Sequence, residues 1–146
     1  MSFLQSLNIS GSGLTAQRFR MDVISENIAN IDSTRTESGG PYRRKMVVLT
    51  PMVNNNFKNM LVSNLTEYEA AGGVEVSDIV EDSSDFKLLY NPEHPDADEN
   101  GYVSMPNVDS LKETVDMMEA YRAYQANITA LNTTKQMAIK ALEIGR

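Results

Sequence analysis

Residues 3–31 read FLQSLNISGSGLTAQRFRMDVISENIANI, a stretch in which apolar side chains recur every seven residues. The repeat consists of Leu7, Leu14, Met21 and Ile28, with Phe3, Ile24 and Ile31 on the interleaved positions. This spacing is typical of a helix that packs along one stripe against another helix. It predicts a helix over residues 2–31, whose apolar stripe we call the N-terminal seam.

Two features of this stretch modify the helix prediction. Gly11 and Gly13 stand in its interior, where a glycine costs about 1 kcal/mol relative to Ala, so we expect the helix to bend there or to form only against a partner. We expect the helix to end at Asn30, because Asn tolerates the left-handed conformation that terminates many helices.

The end of the chain contains a second apolar stripe, which we call the C-terminal seam. Its members follow alternating steps of four and three: Met117, Tyr121, Tyr124, Ile128, Leu131, Ala138 and Leu142, with Lys135 interrupting the apolar order. Neither Pro nor Gly occurs from residue 107 to residue 144, so a second long helix is predicted there. Ser110 and Glu113 have the spacing of a capping box at its start, and Asn107 is a rival cap.

The region between the two helices has the pattern of short strands. Gly39-Gly40-Pro41 predicts a turn, and residues 42–50, 74–80 and 86–90 are candidate strands of one small sheet. The Asn-rich stretch at about 51–73 lacks periodicity, and we interpret it as an exposed, mobile excursion.

These patterns predict a mainly α protein with a small β part. The long terminal helices, at residues 1–34 and 107–146, would pack as a coiled-coil-like domain. A small β-rich domain at residues 35–106 would lie between them. A sheet of three or four short strands is marginal alone and needs a helix against it.

The charge of the chain argues against several classes of partner. The formal net charge is −7, and nucleic acid or an anionic membrane surface demands a basic face. From Glu67 to Glu99 there are eleven acidic residues and a single base, Lys87, so this stretch carries −10. A solvated surface is the favoured interpretation of this run, and an electrostatic docking face is the alternative.

The chain contains no Cys, which excludes disulfides and thiol chemistry. Its N-terminus lacks the basic start and continuous apolar run of a standard secretory signal, and no apolar run approaches the ~18 residues of a membrane span. We therefore expect no direct membrane insertion.

A possible calcium loop is the sharpest local motif. Residues 96–101, Asp-Ala-Asp-Glu-Asn-Gly, match the first half of a calcium-binding loop, but Asn107 stands at position twelve where a bidentate Glu is needed. We favour a tight acidic turn and no metal site. An independent calcium-responsive coiled-coil module is the alternative function.

Enzymatic function finds little support. His94, the only histidine, lies between Glu93 and Pro95 without a second imidazole or a thiol to complete a catalytic or zinc site. The carboxylates are interpreted as surface groups. We expect no catalytic residue and no cofactor.

Arg43, Arg44 and Lys45 form a basic cluster at the entrance of the first candidate strand. No glycine-rich loop or aromatic platform accompanies them, so a phosphate or nucleic-acid site is not favoured. They are candidates for docking to an acidic protein surface, and the alternative is that they protect a strand edge from unwanted pairing.

The seams themselves allow two interpretations. On pattern alone, an intramolecular helical hairpin is favoured over contacts between molecules. However, Ser10, Gln17 and Lys135 place polar groups within the seams, which suits inter-chain hydrogen bonds better than a dry core. The middle is also too small to cover two long helices, and exposed apolar surface normally marks a partner.

Residues 13–34, GLTAQRFRMDVISENIANIDST, closely resemble the N-terminal signature of the bacterial flagellar basal-body rod protein family. Residues 117–127, MMEAYRAYQAN, resemble the matching C-terminal end of rod and hook proteins. Residues 39–45 and 90–98 narrow the resemblance to the proximal rod members of the family. The signature positions carried over from this resemblance are Gly13, Leu14, Asn27, Ala29, Asn30, Arg122, Ala123, Tyr124 and Asn127.

The resemblance implies a structural subunit of the rod that crosses the periplasm and transmits torque. It implies export through the flagellar type III machinery without a cleaved signal, and contacts with proximal and distal rod proteins and the rod-to-ring adaptor. The terminal helices would then supply the subunit interface. The expected interface residues are Leu7, Leu14, Met21, Ile24, Ile28, Ile31, Met117, Tyr121, Tyr124, Ile128, Leu131 and Leu142.

Overall fold

The computed structural model describes residues 3–37, 39–52 and 72–144, and every structural statement below concerns these residues. Its elements in chain order are α1 (Phe3–Ala29), β1 (Lys45–Pro51), β2 (Val74–Glu81), β3 (Lys87–Tyr90), β4 (Tyr102–Met105) and α2 (Ser110–Ile144). The described chain is thus mainly helical with a small β part, as the sequence predicted. The predicted mobile excursion at about 51–73 lies largely outside the described residues.

Helix α1 is continuous through Gly11 and Gly13, and the expected bend or partner dependence at the glycines stays a prediction. The predicted mechanism of its termination was wrong, because no described residue other than glycine has a positive φ. Instead, Asn30 Nδ2 donates to Glu26 O (2.9 Å) and Ser33 Oγ donates to Asn30 Oδ1 (3.1 Å). The Asn30 side chain therefore links the last turn of the helix to the segment that follows it.

The strands form two separate two-stranded sheets, β1–β2 and β3–β4, rather than the single sheet that was predicted. In the antiparallel β3–β4 pair, Lys87 lies opposite Met105 and Tyr90 lies opposite Tyr102, whose rings meet edge to face at 5.3 Å between centroids. Strand β4 was not predicted, because the sequence analysis interpreted the residues from Asp96 onward as a turn before the last helix.

Helix α2 begins with a cap that the sequence analysis did not select. Asp109 Oδ1 accepts hydrogen bonds from Leu111 N (2.9 Å) and Lys112 N (3.3 Å), and Asp109 O accepts from Glu113 N. The amides of Lys112 and Leu111 hold the pKa of Asp109 below its usual range. Both predicted caps, Ser110 and Asn107, were therefore wrong.

The chain divides into two compact units, and both terminal helices contribute to each. Unit 1 comprises the described residues of Met1–Phe19, Val48–Asp78 and Tyr121–Arg146; unit 2 comprises those of Arg20–Val47 and Ile79–Ala120. This grouping differs from the predicted division at residues 34 and 106, which stays a prediction. None of the described helices is both long and apolar enough to cross a membrane.

The core of unit 2 is the better filled. Its buried apolar residues are Val23 and Ile24 of α1, Tyr42, Val103 of β4, Val108 and Ala120 of α2. Among the described residues of unit 1, the buried ones are small, namely Ala16 of α1 and Gly73. Gly73 has φ 133°, and a Cβ there would lie 2.3 Å from Ser12 Oγ, so only glycine fits beside the helix.

Candidate functional site

Unit 2 contains a buried polar cluster, which consists of Asn27, Tyr42, Arg44, Lys45 and Glu113. Asn27 comes from α1, Tyr42 and Arg44 from the segment that enters β1, Lys45 from β1 itself, and Glu113 from α2. Asn27 is 1% exposed and Glu113 is 0% exposed. Because uncompensated buried polar groups are costly, such a cluster persists only when its members bond one another.

Asn27 uses its full hydrogen-bonding capacity. Its Oδ1 accepts from Tyr42 Oη (2.9 Å) and from Lys45 N (2.9 Å). Its Nδ2 donates to Lys45 O (2.9 Å) and to Glu113 Oε2 (3.0 Å). A side-chain amide offers two donors and two acceptor sites, so Asn27 is saturated and fixes three segments of the chain around itself.

Glu113 is compensated by a guanidinium. Arg44 Nε donates to Glu113 Oε1 at 2.6 Å, and Arg44 Nη2 donates to Asp116 Oδ2 at 3.0 Å. Asp82 Oδ2 lies 3.9 Å from Arg44 Nη1. The carboxylates of Glu113, Asp116 and Asp82 thus surround the Arg44 guanidinium. Its positive charge compensates the buried negative charge of Glu113.

Tyr42 is a titratable member of the cluster whose hydroxyl stays uncharged. Burial, together with the negative charges of Glu26, Glu113 and Glu81, raises the pKa of Tyr42 to about 12. The hydroxyl therefore keeps its proton near neutral pH and donates it to Asn27.

The segment beside the cluster is held by a second set of contacts. Asp82 O accepts from Arg43 Nη1 (3.1 Å) and Asn107 Nδ2 (3.1 Å), and Asn107 Oδ1 accepts from Arg44 N (2.7 Å). Hydrogen bonds from Ser84 hold the pKa of the Asp82 carboxyl below its usual range, with a smaller contribution from Arg44. Asn107, the rival cap, is thus a bridge between loops.

The basic residues predicted to dock a partner all have partners within the chain. Arg44 belongs to the buried cluster, Arg43 lies 4.3 Å above the Phe86 ring, and Lys45 Nζ lies 2.5 Å from Glu26 Oε1. Their role in docking stays a prediction, and the structure accounts for them as internal contacts.

Glu113 is a member of the buried polar cluster whose burial the sequence analysis missed. It was interpreted as part of a capping box and, with the other carboxylates, as a surface group, whereas it is fully buried and bonded to Arg44 and Asn27. Both partners are distant in sequence, so no local spacing indicates them.

The seam residues lie at different depths. Ile24 is buried inside unit 2, and the half-buried members are Leu7, Leu14, Met21, Ile28, Ile31, Met117, Tyr124 and Leu131. Tyr121, Ile128 and Leu142 are exposed, Leu142 by 77%. The C-terminal seam therefore presents apolar side chains that the chain itself does not cover.

Exposed apolar side chains also occur away from the seams. Leu88, Leu89 and Tyr90 of β3 are exposed, as are Leu111, Val115 and Met118 of α2. The sequence analysis did not select this second set, because a heptad count reports only one stripe of a helix.

Two of the signature positions meet within unit 1. A Cβ on Gly13 would lie 3.0 Å from Asn127 Nδ2, so the glycine permits a close approach of α1 to α2. Asn127 Nδ2 donates to Ala123 O of its own helix (3.0 Å). The other seven signature positions are Leu14, Asn27, Ala29, Asn30, Arg122, Ala123 and Tyr124, of which Asn27 is buried and Ala29 and Arg122 are exposed.

The acidic segment proposed as an alternative calcium loop is the connection between β3 and β4. Gly101 N donates to Asp98 O and Asp98 N donates to Tyr102 O, with Gly101 at φ 80°. No group of three or more His, Asp or Glu residues in the described part of the chain is placed to hold a metal ion. The segment is a tight turn, as the favoured interpretation expected.

Comparison with known proteins identifies the family of the chain. Residues 7–35 match the family described as flagella basal body rod protein, and residues 99–144 match the C-terminal domain of the flagellar basal body rod FlgEFG proteins. The chain is 52% identical to the flagellar basal-body rod protein FlgC of Bacillus subtilis, with all of both chains covered. The chain belongs to the FlgC family.

Other FlgC proteins are similar over their full length. The chain is 46% identical to FlgC of Borreliella burgdorferi over 99% of this chain and 98% of that one. It is 42% identical to FlgC of Salmonella typhimurium over all of both chains. The chain is accordingly a structural subunit of the flagellar basal-body rod, and the calcium-responsive module finds no support.

The two regions that match the rod family are joined by a hydrogen bond within the chain. The family match at residues 7–35 contains Asn27, and the match at residues 99–144 contains Glu113. The hydrogen bond between Asn27 and Glu113 therefore joins the two matched regions.

Proposed function

We propose that this chain assembles into the part of the rod that crosses the periplasm and transmits torque, by packing its terminal helices against those of neighbouring subunits. The observation that carries this proposal is the exposure of the C-terminal seam on a helix of 35 residues. A soluble chain rarely leaves a row of large apolar side chains in water unless another surface covers them.

The expected interface follows the two seams, with one exception. The half-buried and exposed seam residues supply surface that a neighbour can cover, whereas Ile24 is already covered inside unit 2. Burying a Leu-sized side chain contributes roughly 1.5–3 kcal/mol, so several such residues hold a subunit firmly once its neighbours are present.

The buried polar cluster has a different role in this proposal. It joins α1, the entrance of β1 and α2 through bonds that are all internal to the chain. We assign it to the fold of the subunit rather than to its contacts. The rod subunit would then consist of one self-sufficient unit and one unit completed by neighbours.

We infer the assembly partners of the chain and its export route from its resemblance to the rod family. We propose that the neighbours are proximal and distal rod proteins and the rod-to-ring adaptor, and that the chain reaches the rod through the flagellar type III export machinery without a cleaved signal. We propose that the chain has no catalytic activity and binds no cofactor.

Leu142→Asp tests the proposal. Because Leu142 is 77% exposed, the change should alter the free energy of unfolding of the isolated chain by no more than about 0.5 kcal/mol. In a strain lacking the native gene, the variant should nevertheless fail to restore swimming and should be depleted from purified basal bodies.

Asn132→Asp is the matched control, because it adds the same charge to an exposed position of α2 outside the C-terminal seam. It should swim and assemble as wild type. Full swimming by Leu142→Asp would contradict the proposed interface, and absence of the wild-type chain from basal bodies would contradict the proposed function as a whole.

A further inference from the structure

The hairpin of β3 and β4 in unit 2 has one strand edge without a partner. Among the described strands this sheet contains only β3 and β4, so β3 has a second edge that faces away from β4. Asn91 N donates to Gly101 O (2.9 Å), and from this bond the antiparallel ladder alternates residue by residue. Leu89 therefore bonds to β4, whereas Leu88 and Tyr90 direct their N–H and C=O groups outward. No hydrogen bond joins these outward groups to another described residue.

The opposite strand shows the same alternation. Tyr102 lies opposite Tyr90 in the register, and its carbonyl accepts from Asp98 N (2.8 Å) rather than from β3. The backbones of Tyr90 and Tyr102 thus face away from each other, as they do in a pair that exchanges no hydrogen bonds. The side chains of such pairs lie close together, which agrees with the 5.3 Å between the two ring centroids.

The face of the hairpin that carries Leu88 and Tyr90 is apolar and exposed. Leu88 is 67% exposed and Tyr90 is 64% exposed, whereas Val103, on the opposite face, is 1% exposed. Free strand edges are usually protected by Lys, Pro or a bulge, and neither outward residue of β3 supplies such protection. A strand added to this edge would therefore gain main-chain hydrogen bonds and would place its own side chains beside apolar ones.

The charge around this edge indicates the chemistry of the partner. Lys87 is the only Lys or Arg from residue 72 to residue 111, and its Nζ donates to Val108 O (2.7 Å). Because Lys87 lies on the same face of the hairpin as Val103, its charge is held away from the exposed face. The connection after β3 contains neither Lys nor Arg and carries four exposed carboxylates, those of Glu93, Asp96, Asp98 and Glu99. A basic partner is thus favoured over an acidic one.

We propose that the outer edge of β3 binds an extended, basic segment of another rod protein, which adds to the hairpin as a third strand. The segment carries apolar side chains at alternate positions, beside Leu88 and Tyr90, and a Lys or Arg near the acidic connection. The outward groups of these two residues supply up to four main-chain hydrogen bonds. This contact goes beyond the proposed function, because it lies on unit 2 and is additional to the contacts of the seams.

The first test measures amide exchange by NMR in the isolated wild-type chain. In the free chain, the Leu88 and Tyr90 amides should exchange about tenfold or more faster than the Leu89 amide, because only Leu89 is bonded to β4. The probe is a seven-residue peptide in which three Val residues alternate with two Thr residues and a Lys stands at each end. At about 2 mM it should slow the exchange of Leu88 and Tyr90 by about tenfold or more. Slow exchange of these amides in the free chain, or unchanged rates with the probe, would overturn strand addition.

The second test removes an outward donor. Leu88→Pro deletes an N–H that faces solvent and leaves the ladder to β4 in place, so its urea midpoint should match that of the wild type. Its affinity for the probe should fall about tenfold or more, because proline cannot donate to the added strand. Leu88→Thr, which shortens the side chain but keeps the N–H, is the control and should lose no more than about threefold. Equal affinities in these two variants would contradict main-chain pairing. The first test uses the wild-type chain and decides the question even if Leu88→Pro unfolds.

The charge of the partner is tested by a second probe, in which a Glu replaces the Lys at each end. This probe should bind about fivefold or more weakly than the first at low salt, and the difference should shrink as salt screens the carboxylates. Equal affinity of the two probes at low salt would overturn the basic character of the partner.

The role of this edge in the rod is measured in a strain that lacks the native gene. Leu88→Pro should enter purified basal bodies at about one third or less of the amount of Leu88→Thr, because only the proline variant lacks the outward N–H. Equal incorporation of the two variants would overturn a rod protein as the partner. Since the wild-type chain is measured in the same preparations, this outcome is distinguishable from failure of the proposed function.

Discussion

The two units of this chain treat their polar groups in opposite ways. In unit 2, Asn27 makes four hydrogen bonds and the buried carboxylate of Glu113 is paired with Arg44. In unit 1, Gln17 Oε1 is buried without a partner and large apolar side chains such as Leu142 face solvent. The same two helices supply both units, so the difference arises from side-chain chemistry rather than from a change of secondary structure.

The two units differ in what they would gain from a neighbouring subunit. A saturated polar cluster gains nothing from a partner, because every donor and acceptor of Asn27 is already used. An exposed apolar seam gains free energy only when another surface removes it from water. We therefore propose that the saturated cluster makes unit 2 the main source of folding stability and that the exposed seam residues of unit 1 serve assembly.

The largest expected effect comes from removing the cation of unit 2. Arg44→Met leaves the fully buried carboxylate of Glu113 without its charge partner and should lower the free energy of unfolding by about 3–5 kcal/mol, measured by urea titration of the isolated chain. The double variant Arg44→Met/Glu113→Gln should recover part of this loss, because it removes the buried charge. A loss below about 1 kcal/mol in Arg44→Met would show that the cluster does not hold unit 2 together.

The second prediction concerns alkaline pH. The folded pKa of Tyr42, about 12, lies above its ordinary value of 10.0, so the folded chain holds this proton more tightly than the unfolded chain. The stability that Tyr42 contributes is fully present below pH 10 and is lost as the pH rises toward 12. Tyr42→Phe is the control, and its urea midpoint should fall less steeply than that of the wild type across this interval. Parallel curves would contradict the prediction.

The third prediction compares two glycines of α1 in unit 1. Gly11→Ala should stabilise the helix by about 0.5–1 kcal/mol, because Ala is the better helix former and the space around Gly11 is open. Gly13→Ala should gain less or lose stability, because its Cβ would lie 3.0 Å from Asn127 Nδ2. Urea titrations followed by helical circular dichroism measure both, and an equal gain at the two positions would show that α1 does not approach α2 closely at Gly13.

The sequence predicted the parts of this architecture that depend on local pattern. The heptad spacing of Leu7, Leu14 and Met21 predicted a helix close to the observed α1, and the absence of Pro and Gly from residue 107 to residue 144 predicted α2. The N-cap of α2 was misplaced by one residue, because Asp109 and Ser110 are both good caps and local propensity does not separate them.

The buried polar cluster could not be predicted in the same way. Glu113 lies in the first turn of α2, where the sequence pattern predicts an exposed side chain. Its burial is explained only by its bonds to Asn27 and Arg44, which are 86 and 69 residues away in the chain. The pairing of β3 with β4 likewise depends on an eleven-residue connection, which the sequence analysis interpreted as a tight acidic turn without predicting the strand that follows it. Long-range pairing decides both features, and a single sequence does not record it.

Hydrogen–deuterium exchange of the dilute full-length chain tests the division between the units most directly. Peptides from residues 20–29 and 110–120 should show strong amide protection, since they carry the Asn27, Glu113 and Asp116 contacts. Peptides from residues 3–19 and 121–144 should exchange at least tenfold faster, because their seams lack a neighbour. Equally strong protection along the whole of α1 and α2 would contradict the claim that unit 2 carries the fold and unit 1 waits for assembly.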